Sequence, residues 1–200
     1  MRRRKILALS KDRKFTDFLA DSEWPNLALT VDEPRRILWA TTAAMPGGLD
    51  YKAADDGKSA LLKFTLESGK QPSRYDLPRG GKHALGDMTL SVVGDAYISD
   101  GYGAVYTVAH DRDRLELLIG PGTFRSPQTP ALSPDGRRLF IPDYSRGISA
   151  VDLATKESKL LAHPPDLSLG WKPTGRASAI PPTASSSTAA STSSPIPAGT

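Results

Sequence analysis

The sequence predicts an all-β fold, a β-propeller of about three and a half four-stranded blades, on three observations. A strand–turn–strand pattern occurs four times, as "KILALSKDRKFTDFLA", "ALLKFTLESGKQPSRYDLP", "AVYTVAHDRDRLELLIGP" and "GISAVDLATKESKLLAHP". A second hairpin type falls between these copies, as "NLALTVDEPRRILWATT", "DMTLSVVGDAYISD" and "PALSPDGRRLFIPD". The two types alternate strictly, so two consecutive hairpins make one unit of four strands.

The elements follow in order. Residues 5–20 form the outer hairpin of a half blade whose inner hairpin is missing. Residues 26–78, 85–121 and 128–164 form three complete blades. Tyr97 and Phe140 hold the same place in adjacent units, 43 residues apart, a length that suits one propeller blade. Trp39 precedes Tyr97 by 58 residues, because "MPGGLDYKAADDGKS" is inserted between two strands of the first blade. A β-sandwich would also give hairpins, but not two types alternating on a fixed period. Within each hairpin the turn is legible. In "SPDGRRLFIPDYSRG" Pro134 fixes φ, Gly136 accepts φ > 0, and the run from Arg137 alternates polar and apolar residues until Pro142 and Asp143. Trp39, Tyr97 and Phe140 are expected to pack between blades.

A closed propeller typically needs four to eight blades, so about three and a half leave the ring open. Residues 1–169 are taken as the partial propeller and 170–200 as a low-complexity tail. After Arg176 the chain holds Ser, Thr, Ala, Pro and Gly with two isoleucines and no charge. Such a segment buries too little apolar surface to offset its ordering entropy and is expected to be disordered. A linker and a shifted reading frame both account for it.

Bulk composition removes several classes of function. The net charge of +4 is matched by Arg2, Arg3, Arg4 and Lys5 alone, and the remainder mixes both signs. A nucleic-acid surface needs clustered Lys and Arg, so no nucleic-acid partner is expected. Without cysteine there is no disulfide, thiol nucleophile or thiolate metal site. No run approaches the roughly 18 apolar residues of a membrane helix. The basic head "MRRRK" precedes only "ILAL", too short for a signal peptide. A cytoplasmic location is the default expectation, with export if the true N-terminus lies upstream.

"LSPDGRRLFIPDYSRGISAVDLAT", "GDMTLSVVGDAYISDGYGAVYTV" and "LTVDEPRRILWATTA" resemble the senescence-marker-protein/gluconolactonase family of propellers, over about residues 5–169. The resemblance implies a six-bladed ring, of which this chain would be about half. It also implies a lactonase site that holds a divalent cation, usually calcium, at the top of the central channel. Asp143 matches the family's ligand and general base, and Asn26 stands where the family has a glutamate ligand. Asp87 lies beside a family ligand position, while Gly86 and Gln128 replace family asparagines. One carboxylate and two amides are a poor trap for calcium, which takes six to eight oxygens.

Asp143 also has a simpler reading, an Asx-turn at a strand end, and Asp100 and Thr42 recur at its position. His83, Asp87 and Gln128 are the expected small-molecule contacts at the channel mouth. No G-x-S-x-G elbow or phosphate loop occurs. Three functions stay open: a cation-dependent hydrolase of a lactone or cyclic ester, a non-catalytic propeller binding a small molecule or protein, and a truncated product without activity of its own. The expected partner is a small-molecule substrate or ligand, and self-association through the open propeller edges stays open beside it.

Overall fold

The computed structural model describes residues 4–161; the expected tail and the last residues of the third blade lie outside them. Strands β1 (Ile6–Leu9) and β2 (Phe15–Leu19) form a two-stranded sheet. Three four-stranded antiparallel sheets follow in chain order. Sheet A contains β3 (Asn26–Asp32), β4 (Ile37–Ala43), β5 (Ser59–Thr65) and β6 (Ser73–Asp76). Sheet B contains β7 (Leu85–Leu90), β8 (Ala96–Asp100), β9 (Ala104–Val108) and β10 (Leu115–Ile119). Sheet C contains β11 (Ala131–Leu132), β12 (Arg138–Asp143), β13 (Gly147–Asp152) and β14 (Ser158–Leu160). The insertion after β4 is a loop with one 3-10 turn, Ala53–Asp55.

One turn closes the first hairpin of every complete sheet. Arg36, Gly94 and Gly136 donate their N–H groups to the carbonyls three residues back, those of Glu33, Ser91 and Ser133, at 3.1, 3.0 and 2.9 Å. All three have positive φ, at 56°, 100° and 68°. Two sheets meet that demand with glycine, and sheet A carries an arginine in the left-handed region.

Alternation along each strand then makes two faces, and both are used. Leu38, Ala40, Leu62 and Phe64 of sheet A pack with Ile6 and Trp24, and Phe18 meets Phe64 edge-on at 5.8 Å. On the other face Trp39, Leu61 and Tyr75 pack with Leu85, Met88, Ile98 and Tyr106 of sheet B. Val105 and Ile119 of sheet B and Phe124, from the connection after β10, pack in turn with Leu139, Ile141 and Val151 of sheet C, and Tyr97 lies against that cluster. Each fully buried aliphatic side chain of these layers contributes about 1.5–3 kcal/mol. The sheets also touch through their first strands, β3 with β7 and β7 with β11.

Polar contacts tie the same pairs of sheets. Ser59 Oγ accepts the Leu85 N–H at 3.0 Å and donates to the Thr42 carbonyl at 2.8 Å. Ser99 Oγ donates to the Gln128 carbonyl at 2.6 Å. Arg35 reaches from the first turn of sheet A to the Val92 carbonyl in the first turn of sheet B, at 2.9 Å, while holding the buried Asp32. Asp113, in the loop after β9, accepts bonds from Lys63, Ser73 and Tyr75 of sheet A.

The innermost strand of sheet C is shorter than its sequence suggests. Pro127 makes an isolated bridge to Asp143, and the ladder starts at Ala131. Pro127 and Pro130 have no N–H to place in a ladder, which trims β11 to two residues.

Two faces have no sheet against them among the described residues. On β1–β2, Leu7 and Leu9 share a face with Phe15 and Asp17, opposite to Ile6 and Ala8. On sheet C, Phe140, Pro142, Ile148 and Ala150 share the face opposite to Leu139, Ile141 and Val151.

Candidate functional site

The first and third strands of each sheet begin, and the second and fourth end, at one end of the stack, here called the mouth. The candidate residues Asn26, His83, Gln128 and Asp143 all lie on segments at that end, and Asp87 lies within β7.

One position organises the mouth: the end of each second strand. Thr42 in sheet A donates from Oγ1 to the carbonyls of Trp24 and Pro25, at 2.8 and 3.0 Å. Asp100 in sheet B takes the N–H groups of Ala84 and Tyr102 on Oδ1, at 2.9 and 3.1 Å, and meets His83 Nδ1 with Oδ2 at 2.6 Å. Asp143 in sheet C takes the N–H groups of Arg125 and Ser126 on Oδ2, at 2.7 and 3.3 Å. Its Oδ1 takes the N–H and the hydroxyl of Ser145, both at 2.8 Å. Each side chain therefore pins the segment leading into its own sheet. The residue type follows from what that segment offers. Before sheet A it offers carbonyls, so a hydroxyl donor is needed; before sheets B and C it offers N–H groups, so a carboxylate acceptor is needed.

Asp143 is 3% exposed, and its four acceptor sites are filled by four donors of its own chain. Burial pushes its carboxyl up, but the N–H groups of Arg125, Ser145 and Ser126 outweigh that and hold it below the ordinary carboxylate range. Of its two readings, the geometry describes the Asx-turn, extended by a tie to the preceding segment. As a metal ligand it does not fit, because its lone pairs are taken. Among the described residues no group of three His, Cys, Asp or Glu side chains is placed to hold a metal ion.

The other candidates divide. Asn26 donates from Nδ2 to Ser22 Oγ at 3.2 Å, while its Oδ1 is buried without a hydrogen-bond partner. Asp87 accepts a bond from Thr129, the neighbour of Gln128. Gln128 binds the Ser126 carbonyl and hydroxyl through Nε2, each at 3.1 Å, and donates its N–H to the Pro142 carbonyl at 2.8 Å. Asp87, Gln128 and Asp143 are thus joined through adjacent residues, and no described contact links Asn26 to them.

Sequence reasoning named His83 and Asp100 separately and missed that they form a pair. His83 Nε2 makes no hydrogen bond among the described residues, and the ring meets Tyr106 edge-on at 6.2 Å. The insertion closes over this pair: Gly57 accepts the His83 N–H at 2.8 Å, and Lys82 bridges to Asp56 at 2.6 Å. A matched spacing was the available signal, since Trp24 to Thr42 and Arg125 to Asp143 each span 18 residues and His83 to Asp100 spans 17.

Two clefts of similar size lie apart from these candidates, the second of them at the mouth end of sheet A. One of about 230 Å³ lies between Trp39, Lys63, His110 and Asp113; one of about 250 Å³ lies between Trp24, Lys58, Arg74 and Arg79. Neither is lined by His83, Asp87, Gln128 or Asp143.

Solved structures share this fold. The chain is similar to virginiamycin B lyase from Staphylococcus aureus, with a TM-score of 0.60 and 16% identity, over 82% of this chain and 50% of that one. It is also similar to U3-55K, with a TM-score of 0.53 and 14% identity, over 70% of this chain and 40% of that one. The chain is a partial β-propeller. At these identities the likeness shows the fold alone, and the propeller spans half or less of the length of the two chains it matches. No protein-family model and no curated protein matches it. No helix among the described residues of this propeller is long and apolar enough to cross a membrane.

Proposed function

We propose that the protein is a non-catalytic propeller that binds a small polar molecule, such as a lactone, at its mouth. The occupation of all four Asp143 acceptor sites carries this reading, because the carboxylate best matched to lactonase chemistry is spent on fastening the chain. His83 and Asp87 supply the contacts. Asp100 orients the His83 ring and leaves Nε2 toward a ligand, and Asp87 is an exposed carboxylate on the innermost strand. A cation-dependent lactonase with Asp143 as base is the competing reading, from the sequence resemblance. The truncated-product reading is tested along with them.

The deciding experiment titrates γ- and δ-lactones into the protein by calorimetry, with and without calcium, and follows hydrolysis in parallel. Binding without turnover, weakened at least 10-fold in His83→Ala and insensitive to calcium, is the expected result. Calcium-dependent hydrolysis lost in Asp143→Ala overturns it in favour of the lactonase. Neither binding nor turnover supports the truncated product.

A further inference from the structure

We propose that two copies of this chain pair head to tail, the face of sheet C that no described sheet covers in one copy seated on the corresponding uncovered face of β1–β2 in the other. The inference does not depend on the ligand reading. It extends a contact the fold already repeats. Sheet A covers β1–β2, sheet B covers sheet A, and sheet C covers sheet B, each through an apolar face. In this series Trp39 of sheet A faces sheet B, and Tyr97 of sheet B faces sheet C. Phe140 holds the same register position in sheet C, opposite Ala131 and Ala150, and turns toward the side where no described sheet lies. Ile148 on that face is 49% exposed.

The opposite end of the stack is made to receive such a face. On β1–β2, Leu7, Leu9 and Phe15 are 52%, 58% and 68% exposed, on the surface turned away from sheet A. Asp17, paired with Lys5 at 3.0 Å, shares that surface, and the remaining charges of the hairpin sit in its turn; an exposed apolar patch rimmed by polar groups marks an interaction surface. The two free faces are also non-equivalent, so their contact is heterologous, and two copies close it on itself by making it twice.

The test is sedimentation of the full 200-residue chain over a concentration series, for the wild type, Leu7→Asp, Phe140→Asp and an equimolar mixture of the two variants. The expected wild type is a dimer. Each variant alone breaks both contacts of its own homodimer and is expected to dissociate at least about 30-fold more readily. The mixture regains association, because sheet C of the Leu7→Asp chain and β1–β2 of the Phe140→Asp chain are both intact. Regained association also shows that both variants are folded. A wild type that stays monomeric at every concentration overturns the proposal and assigns the free faces to other occupants. A dimer lost in Phe140→Asp but unchanged in Leu7→Asp overturns it in favour of a sheet C to sheet C contact.

Discussion

Thr42, Asp100 and Asp143 do the same work with different chemistry, and amide substitution separates them. In Asp143→Asn one oxygen is replaced by an amine facing the Arg125 and Ser126 N–H groups, leaving buried donors unpaired. The expected cost is about 2–3 kcal/mol in urea unfolding. Asp100→Asn can keep its oxygen on Ala84 and Tyr102 and turn its amine to His83 Nδ1, which accepts in the other tautomer. It is expected to cost about 1 kcal/mol. Equal losses would mean that the two carboxylates are not bound as described. Glycines offer a second contrast. An added Cβ at Gly136 meets nothing within 4 Å, so Gly136→Ala pays only the left-handed backbone, about 1–2 kcal/mol. At Gly103 the added Cβ would lie 2.5 Å from the Phe124 carbonyl oxygen, so Gly103→Ala should be the more damaging in thermal unfolding.

Between elements, the polar ties make predictions that strand pairing alone does not. Arg35→Ala removes both the bond to Val92 and the partner of a buried carboxylate, Asp32, and should destabilise by about 3 kcal/mol. Arg36→Ala, which breaks an exposed pair with Glu67, should leave the unfolding midpoint near that of the wild type. Asp113 adds a pH dependence. Bonds from Tyr75, Ser73 and Lys63 push its carboxyl down from 3.8 to about 2. A lowered folded-state value means stability that is complete above the unfolded value and lost as pH falls. Asp113→Asn should therefore lie below the wild type in urea midpoint at pH 7, and the gap should narrow between pH 4 and pH 2. A gap that does not change with pH would remove ionisation from the explanation. These ties also show what the sequence did not disclose. Hairpins were legible because alternation and turn residues are local. The Asp113 bonds join residues 38 to 50 positions apart on different sheets, and nothing in "HDRDR" points to Tyr75. The short β11 was legible in principle, since Pro127 and Pro130 are both visible in the sequence.

For the whole molecule, the propeller order was readable from two alternating hairpins, and the packing agrees with it sheet by sheet. Trp39 and Tyr97 pack between sheets as their recurrence suggested, and Phe140 keeps the position with no sheet against it among the described residues. The candidate site was less legible. Recurrence at Thr42, Asp100 and Asp143 pointed to a shared structural role, but a carboxylate in sequence carries no record of how many donors will surround it. Leu139→Ala, in a buried layer between sheets B and C, should cost about 2–5 kcal/mol and is expected to loosen sheet C first. Hydrogen exchange would then show lost protection in β12 and β13 with β4 and β5 unchanged; uniform loss would mean that the stack unfolds as one unit.

The different locks at the mouth bear on how such a chain can be rearranged. A hydroxyl that gives to carbonyls cannot replace a carboxylate that takes from amides, so the joint of sheet A to the segment before it differs from the joints of sheets B and C. Sheet A exchanged with either of them without its leading segment would meet the wrong partner at that joint even with every apolar layer intact. Four-stranded units that look interchangeable by length and pattern are therefore of two kinds by their chemistry. A designer joining them into a longer ring would need to move each leading segment together with the side chain that fastens it.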